Sequence, residues 1–472
     1  MAPPVEGKDW LTTPPINWSD LKGRVVVVLF WSFGCEASLL ALRELAVLQE
    51  TWREAGTDDE VVAIAVHTPR FPYEDDQTLV RSALLRHRIE QIVVHDPEYR
   101  TWNRYNPEGW PAAAVVNRKG RVVGIGAGAG SLRQVSEVVA TELAQERRRA
   151  ERPITGSTGP LPQPTLPARQ AVADSTLCFP SGVAVTESGR VVVSDSGNDR
   201  LIIGDLDSDL RTLRPTIEIT DIEDPGAVAC ASDTIIYAIE RGTGSVMQVD
   251  LEHGTLDVLA DDELTVPTAL AVDRDGSLVV ADAGREQLIR ISGDGDGRVT
   301  IGAIAGSGRS GTADGPAVRA DLAQPAGLAR TDSGLAFCDA ASSNLRLLSD
   351  AGEVVTVTGN SFYDWGLVDG PARRARLQRP TGVCAMDDGS LIVADSGNNR
   401  LRRLAGRKVT TLGLAGLEQP TAVAGLADGR VLVVDTGHHR LVVADVNRRT
   451  GWPVAVYPAV MTSVWEPSPD LT

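Results

Sequence analysis

Cys35 is the residue of this chain best placed for covalent chemistry. It follows an apolar run at residues 25–30 and precedes residues 36–54, where Leu39, Leu42, Leu45 and Leu48 recur at helical spacing. The pattern predicts a buried strand, a short turn and a helix with Cys35 at its N-terminus. There the helix dipole and unpaired N–H groups favour a thiolate. A thiol so placed falls from about 8.5 into the range of about 3.5–7.5, and its thiolate attacks a disulfide or a peroxide. Glu36 opposes this, because a neighbouring negative charge disfavours a second one. The other cysteines, Cys178, Cys230, Cys338 and Cys384, are far apart, and no C-x-x-C pair occurs. That pattern suits a reducing cytoplasm and argues against a disulfide framework or a zinc site. Cys230, Cys338 and Cys384 stand where strands take small apolar residues, so they are expected to be buried and inert.

A second set of polar residues recurs along the chain. Asp195, Glu240, Asp282, Asp339, Asp395 and Asp435 each end an apolar strand that follows a proline: Pro180, Pro225, Pro267, Pro325, Pro380 and Pro420. The step from proline to acid is 15 residues in five copies and 14 in the fourth. A ring of six acids would repel anions or hold a metal. The expected role is structural, each acid capping its own turn by accepting the following backbone N–H groups. His438 and His439 beside Asp435 carry metal-ligating atoms. Neighbouring residues on a strand point to opposite faces, however, so a turn surface is expected.

These residues need elements to hold them. Each copy reads as strand, Gly/Asp turn, strand, Ser-Gly-Asn turn, strand, with a fourth strand such as residues 299–303 or 354–358. Ser-Gly-Asn supplies residues that tolerate positive φ. One four-stranded sheet cannot bury both faces alone, so the copies must stack around a ring. Steps between successive acids are 45, 42, 57, 56 and 40 residues. The two long steps hold Asp314-Gly-Pro-Ala and Asp369-Gly-Pro-Ala, insertions expected in loops on a rim. The copies resemble the NHL repeat, P-x-G-[VI]-A followed by [VI]-A-D-[ST]-x-N-x-R-[IL]. The first, fifth and sixth match closely; the second and fourth are degraded. The resemblance implies an all-β six-bladed propeller, covering roughly residues 171–460 of a domain at 171–472.

Residues 1–148 read differently. Buried strands are expected at 25–30, 61–66 and 92–94, helices at 36–54, 79–89, 98–105 and 132–148, and a hairpin at 112–116 and 121–124. That order implies an α/β domain with helices on both faces of a sheet. Phe30-Trp31-Ser32-Phe33-Gly34-Cys35-Glu36-Ala37-Ser38 resembles the thioredoxin segment F-W-x-x-W-C-x-x-C. The resemblance puts Cys35 at the nucleophile, Ser38 at the resolving position and Trp31 beside them. It makes Pro111 of Trp110-Pro111 the cis proline that faces the thiol. Val66-His67-Thr68-Pro69-Arg70-Phe71-Pro72 and His95-Asp96-Pro97 extend the likeness to NHL-repeat-containing proteins with a thioredoxin-like domain. Three residues depart from the pattern. Ser38 cannot resolve a mixed disulfide, Gly34 replaces an aromatic, and Leu29 stands where a buried Asp assists proton transfer.

The 472 residues exceed one ordinary core. A Pro-rich linker is expected at 149–170. The net charge of −17, 46 basic against 63 acidic residues, gives no attraction for nucleic acid. The basic run Arg147, Arg148, Arg149 reads as a solvated helix end. No apolar stretch long enough for a membrane helix and no signal sequence is seen, so a cytoplasmic protein without membrane contact is expected. No cofactor or metal is implied. Two functions stay open. One is a monothiol disulfide oxidoreductase or thiol redox sensor, its protein or peptide client on a propeller rim and a small cellular thiol as reductant. The other is a non-catalytic interaction scaffold using both domains. A propeller hydrolase or lyase would need convergent His, Arg or metal ligands, whereas Val183-Ala-Val and Val423-Ala-Gly are small and apolar.

Overall fold

The computed structural model describes residues 1–128, 130–149, 161–166, 177–293, 299–359, 361–414 and 416–457. The chain forms two compact units, Met1–Ala171 and Val172–Thr472.

The first unit is built on β1 (Asp9–Trp10), β2 (Val25–Trp31), α1 (Glu36–Glu54), β3 (Val61–His67), α2 (Gln77–Arg86), β4 (Ile92–His95), α3 (Arg100–Tyr105), β5 (Ala112–Val116), β6 (Val122–Ala127) and α4 (Ser131–Arg149). Its sheet order is β1-β4-β3-β2-β5-β6. β2, β3 and β4 are parallel, β5 and β1 run against them, and β6, antiparallel to β5, runs in their direction again. Every residue of β2 is buried because alternate side chains enter two cores. Val25, Val27, Leu29 and Trp31 join Leu42 and Leu45 of α1, Leu84 of α2 and Val135 of α4. Val26, Val28 and Phe30 join Tyr105 of α3 and the N-terminal Val5 and Ile16. Two helices start and stop away from their expected bounds for local reasons. The Asp76 carboxylate caps α2 by accepting the Thr78 N–H at 2.8 Å, and Arg88, at φ 50°, follows its end. Asp96 accepts the N–H groups of Arg100, Thr101 and Trp102 at 2.7–3.0 Å, which moves the start of α3 to Arg100. Residues 161–166 of the expected linker pack on this unit: the Thr165 N–H donates to Thr12 O at 2.8 Å, and Leu161 and Leu166 sit against its cores. Residues 150–160 and 167–170 of that linker lie outside the described residues.

The second unit is almost wholly β. Among the described residues it contains six antiparallel meanders. Their innermost strands are Gly182–Val185, Pro225–Cys230, Pro267–Val272, Pro325–Thr331, Pro380–Ala385 and Pro420–Gly425. Each packs against the next, and the sixth packs against the first. The repeat glycine permits this approach: a Cβ on Gly382 would stand 2.6 Å from Thr421 O, and one on Gly182 would stand 2.3 Å from Gly226 O. Hydroxyls staple neighbours together. Ser196 donates to Pro225 O at 2.6 Å, Ser396 to Pro420 O at 2.5 Å, and Thr436 to Pro180 O at 2.7 Å. The last strand among the described residues, Thr450–Val456, is the fourth strand of its own meander, and it also pairs in parallel with Thr212–Ile219 of the first.

The two insertions add a short outer strand each, Gly315–Pro316 and Gly370–Pro371, followed by a single helical turn. The Ser-Gly-Asn turns are short 3-10 turns whose left-handed residue comes one position later, at Asp199, Asn399 and His439.

Candidate functional site

Cys35 is the residue that caps α1, in extended conformation at φ −125°, ψ 110°. Its carbonyl accepts Ser38 N at 2.9 Å and Leu39 N at 3.2 Å. The Trp110–Pro111 peptide is cis, and Cys35 Sγ lies 3.8 Å from Trp110 O. Trp110 is fixed by its indole N–H on Thr68 O at 2.9 Å and by stacking on Trp102. Pro111 is buried, and its carbonyl accepts Gly128 N at 2.7 Å. Cys35, Ser38 and Trp31 each have 0% of their surface exposed. Trp31 packs edge-on to His67. The residues expected to form one site therefore do gather beside one another, but the thiol is sealed from solvent.

A buried polar cluster flanks this loop, and its role was not legible from the sequence. Ser32 Oγ donates to Glu74 Oε2 at 2.6 Å and accepts Gly34 N at 3.2 Å. His67 Nε2 stands 3.6 Å from the same carboxylate oxygen, and His67 Nδ1 meets His95 Nδ1 at 3.1 Å. His95 Nε2 contacts Asp75 O at 3.2 Å. Burial, and then the neighbouring His67, push His95 down to about 4. Both histidines end parallel strands, at the edge of the sheet where open α/β folds carry their polar groups. A Cβ on Gly34 would stand 2.1 Å from Glu74 Oε1, so a larger residue there would drive out the carboxylate. That accounts for glycine where an aromatic was expected.

In the second unit the repeat acids are consumed by structure. Each accepts the N–H of the residue two before its own proline: Cys178, Glu223, Thr265, Ala323, Gln378 and Glu418, at 2.6–2.9 Å. The expectation of a structural role stands, with a different partner. The acid ties the lead-in of its innermost strand across the sheet, and Asp282 also accepts the following N–H groups of Gly284 and Arg285. His438 and His439 diverge. His438 Nδ1 pairs with Asp435 at 2.9 Å, while His439 Nδ1 accepts Phe179 N at 2.9 Å. Burial pushes the Cys230 and Cys384 thiols up to about 12 and Cys338 well above its ordinary value, which makes them poor nucleophiles.

A cleft of about 660 Å³ opens where the innermost strands of the first, fifth and sixth meanders end, at Val185, Ala385 and Gly425. Among the described residues no helix is long and apolar enough to cross a membrane.

The family model of the NHL repeat matches residues 177–203 and 377–404. With the ring of packed strands, this defines the second unit as an NHL-repeat β-propeller. The chain is 26% identical over 453 residues to Protein SUPPRESSOR OF QUENCHING 1, chloroplastic, of Arabidopsis thaliana, covering 86% of this chain and 41% of that one. It is 25% identical over 452 residues to NHL repeat-containing protein 2 of Homo sapiens, covering 84% and 61%. Protein DipZ of Mycobacterium tuberculosis matches over 192 residues at 29% identity, 40% of this chain and 26% of that one. The chain thus spans less than two thirds of the length of these relatives. Among solved structures, virginiamycin B lyase from Staphylococcus aureus superposes with a TM-score of 0.41 at 15% identity, covering 61% of this chain and 88% of that one.

Proposed function

We propose that this protein is an interaction scaffold, a six-bladed NHL propeller that docks a protein or peptide client on one rim, preceded by a thioredoxin-like unit. The six meanders and their ring of innermost strands support the blade count. The mixed sheet order and the cis Pro111 beside Cys35 support the thioredoxin-like reading of the first unit. The observation that carries the choice of scaffold over enzyme is the burial of Cys35. A sulfur without exposed surface cannot reach the in-line geometry of thiol–disulfide exchange, and Ser38 offers no second thiol.

The approach of Cys35 Sγ to Trp110 O favours a second reading, a monothiol oxidoreductase whose 32–35 loop opens to admit a client disulfide. The Cys35 thiolate would then displace one client sulfur to form a mixed disulfide. A small cellular thiolate would release Cys35 and become the new partner in the disulfide. Native-state labelling with a maleimide, read by mass spectrometry of the Cys35 peptide, separates the two. The scaffold reading expects Cys35 to label at least tenfold slower than in urea, with no insulin reduction in the presence of glutathione. Rapid native labelling with glutathione-dependent turnover abolished by Cys35→Ala would overturn it.

A further inference from the structure

We infer that the cleft at the meeting of the first, fifth and sixth meanders is a docking site for a cationic, amphipathic peptide segment. This deepens the scaffold reading and rests on it.

The floor of the cleft is apolar. Val185, Leu206, Leu210, Met386 and Leu426 line it with partly buried side chains, and Val446 closes its base. Its rim is acidic. The lining residues include Glu187, Asp387, Asp388 and Asp428, against a single guanidinium, Arg403. Two arginines near the rim are engaged by its carboxylates. Arg403 pairs with Asp388, and Arg430 pairs with Asp428. Both carboxylates are further fixed by their own turns: Asp388 accepts Ser390 N at 2.9 Å and Ser390 Oγ at 2.6 Å, and Asp428 accepts Arg430 N at 3.0 Å. That leaves Glu187 and Asp387, both exposed, to set the charge that an incoming segment meets.

The turns that carry these groups are equivalent in the repeat. Residues 186–190, 386–390 and 426–430 each join the innermost strand of a meander to its second strand, so they present their side chains from one end of the ring. The acidic residues come from all three turns and the apolar ones from the strand ends beneath them. A volume of about 660 Å³ lies in the range of ligand clefts, about 300–1,000 Å³, and accepts a few side chains rather than a folded domain. Apolar contact below and carboxylates above select a segment with aliphatic side chains flanked by Lys or Arg, whose stems also cover apolar surface. An anion or an acidic peptide would meet the same carboxylates as a barrier.

The test uses the full chain and two fluorescein-labelled octapeptides, one alternating Lys with Leu and one alternating Glu with Leu, followed by fluorescence anisotropy. The cationic peptide is expected to bind at least tenfold tighter than the acidic one. Glu187→Gln with Asp387→Asn should weaken it about fivefold, as expected for the loss of two solvent-exposed pairings, with the melting temperature unchanged. Leu426→Ser removes aliphatic contact without changing the charge, so it should weaken the cationic peptide at least fivefold. Equal binding of the two peptides, or cationic binding untouched by both sets of substitutions, would overturn the inference. Either result leaves the scaffold reading standing, because that reading is decided by Cys35 labelling and insulin reduction.

Discussion

At Cys35 and its neighbours, one backbone loop holds two incompatible features: a thiol set against a cis proline, and complete burial. The polar cluster behind the loop makes this arrangement sensitive to acid. His67 Nδ1 and His95 Nδ1 face each other at 3.1 Å, so one of the two nitrogens must be unprotonated to accept. Asp75 O lies on the far nitrogen of His95, and Lys8 and Asp9 lie nearby. The folded state holds His95 down at about 4, against about 6.5 in the unfolded chain. Between those values the unfolded chain binds the extra proton. The stabilisation is therefore complete above about pH 6.5 and is lost as pH falls through about 4, with a magnitude of order 2–3 kcal/mol. Asp395 titrates in the opposite sense, since burial, against the pull of Arg402, pushes it up to about 6. The informative quantity is thus a difference. Urea midpoints of the wild type should fall more steeply than those of His95→Gln between about pH 7 and about pH 4.5. Parallel slopes would show that His95 gains no proton on unfolding. Cys35 and Pro111 were legible because the segment around them resembles a known one. The contacts among Ser32, His67, Glu74 and His95 were not, because the paired residues lie up to 42 positions apart in the chain.

Among the elements, the repeats themselves were plain from the spacing of prolines and acids, and so were the two insertions. What the insertions do was hidden. Their aspartates, Asp314 and Asp369, reach inward to two fully buried arginines. Arg346 binds Asp339 at 3.0 Å and also Asp321 O and Asp314. Arg402 binds Asp395 at 2.7 Å and also Arg376 O, Val368 O and Asp369. In the first and sixth copies the repeat arginine, Arg200 or Arg440, holds the acid at 2.7 Å. In the fifth copy that residue, Arg400, turns to Asn399 O, and Arg402 takes its place. Only the fold could show that shift by two residues, because it depends on the insertion lying over the strand. Removing such a cation leaves a buried carboxylate unpaired, at a cost of about 3–5 kcal/mol. Arg402→Met should lower the unfolding free energy read from urea titration by that amount, and Asp395→Asn in the same chain should restore part of it. A loss under about 1 kcal/mol, the range of a surface pair, would mean that the insertion is not anchored through Arg402.

Over the molecule as a whole, the second unit makes its most specific claim at the place where chain ends meet. Pro180 and Thr436 are 256 residues apart and share a hydrogen bond. Thr421 Oγ1 donates to Ser181 O at 3.1 Å, and Thr212↔Ala455 and Leu213↔Val456 pair in parallel. An open array of repeats has two free ends that fray independently, and its stability is a sum of neighbour terms. A closed ring has none, so the junction between sixth and first meanders should count the same as the junction between fifth and sixth. Thr436→Val and Ser396→Ala remove equivalent hydroxyls at those two junctions. Each leaves a buried proline carbonyl short of a donor, at a cost of about 1–3 kcal/mol. In a closed propeller both variants should lose similar stability in a single transition, with fluorescence and far-UV circular dichroism midpoints coinciding. In an open array Thr436→Val would instead melt an end first, splitting the two midpoints while Ser396→Ala kept them together. The comparison reads closure directly, independent of any client, and it also bears on the cleft. The first, fifth and sixth meanders all line that cleft, so an end that frays at the closing junction would lose the acidic rim along with the ring.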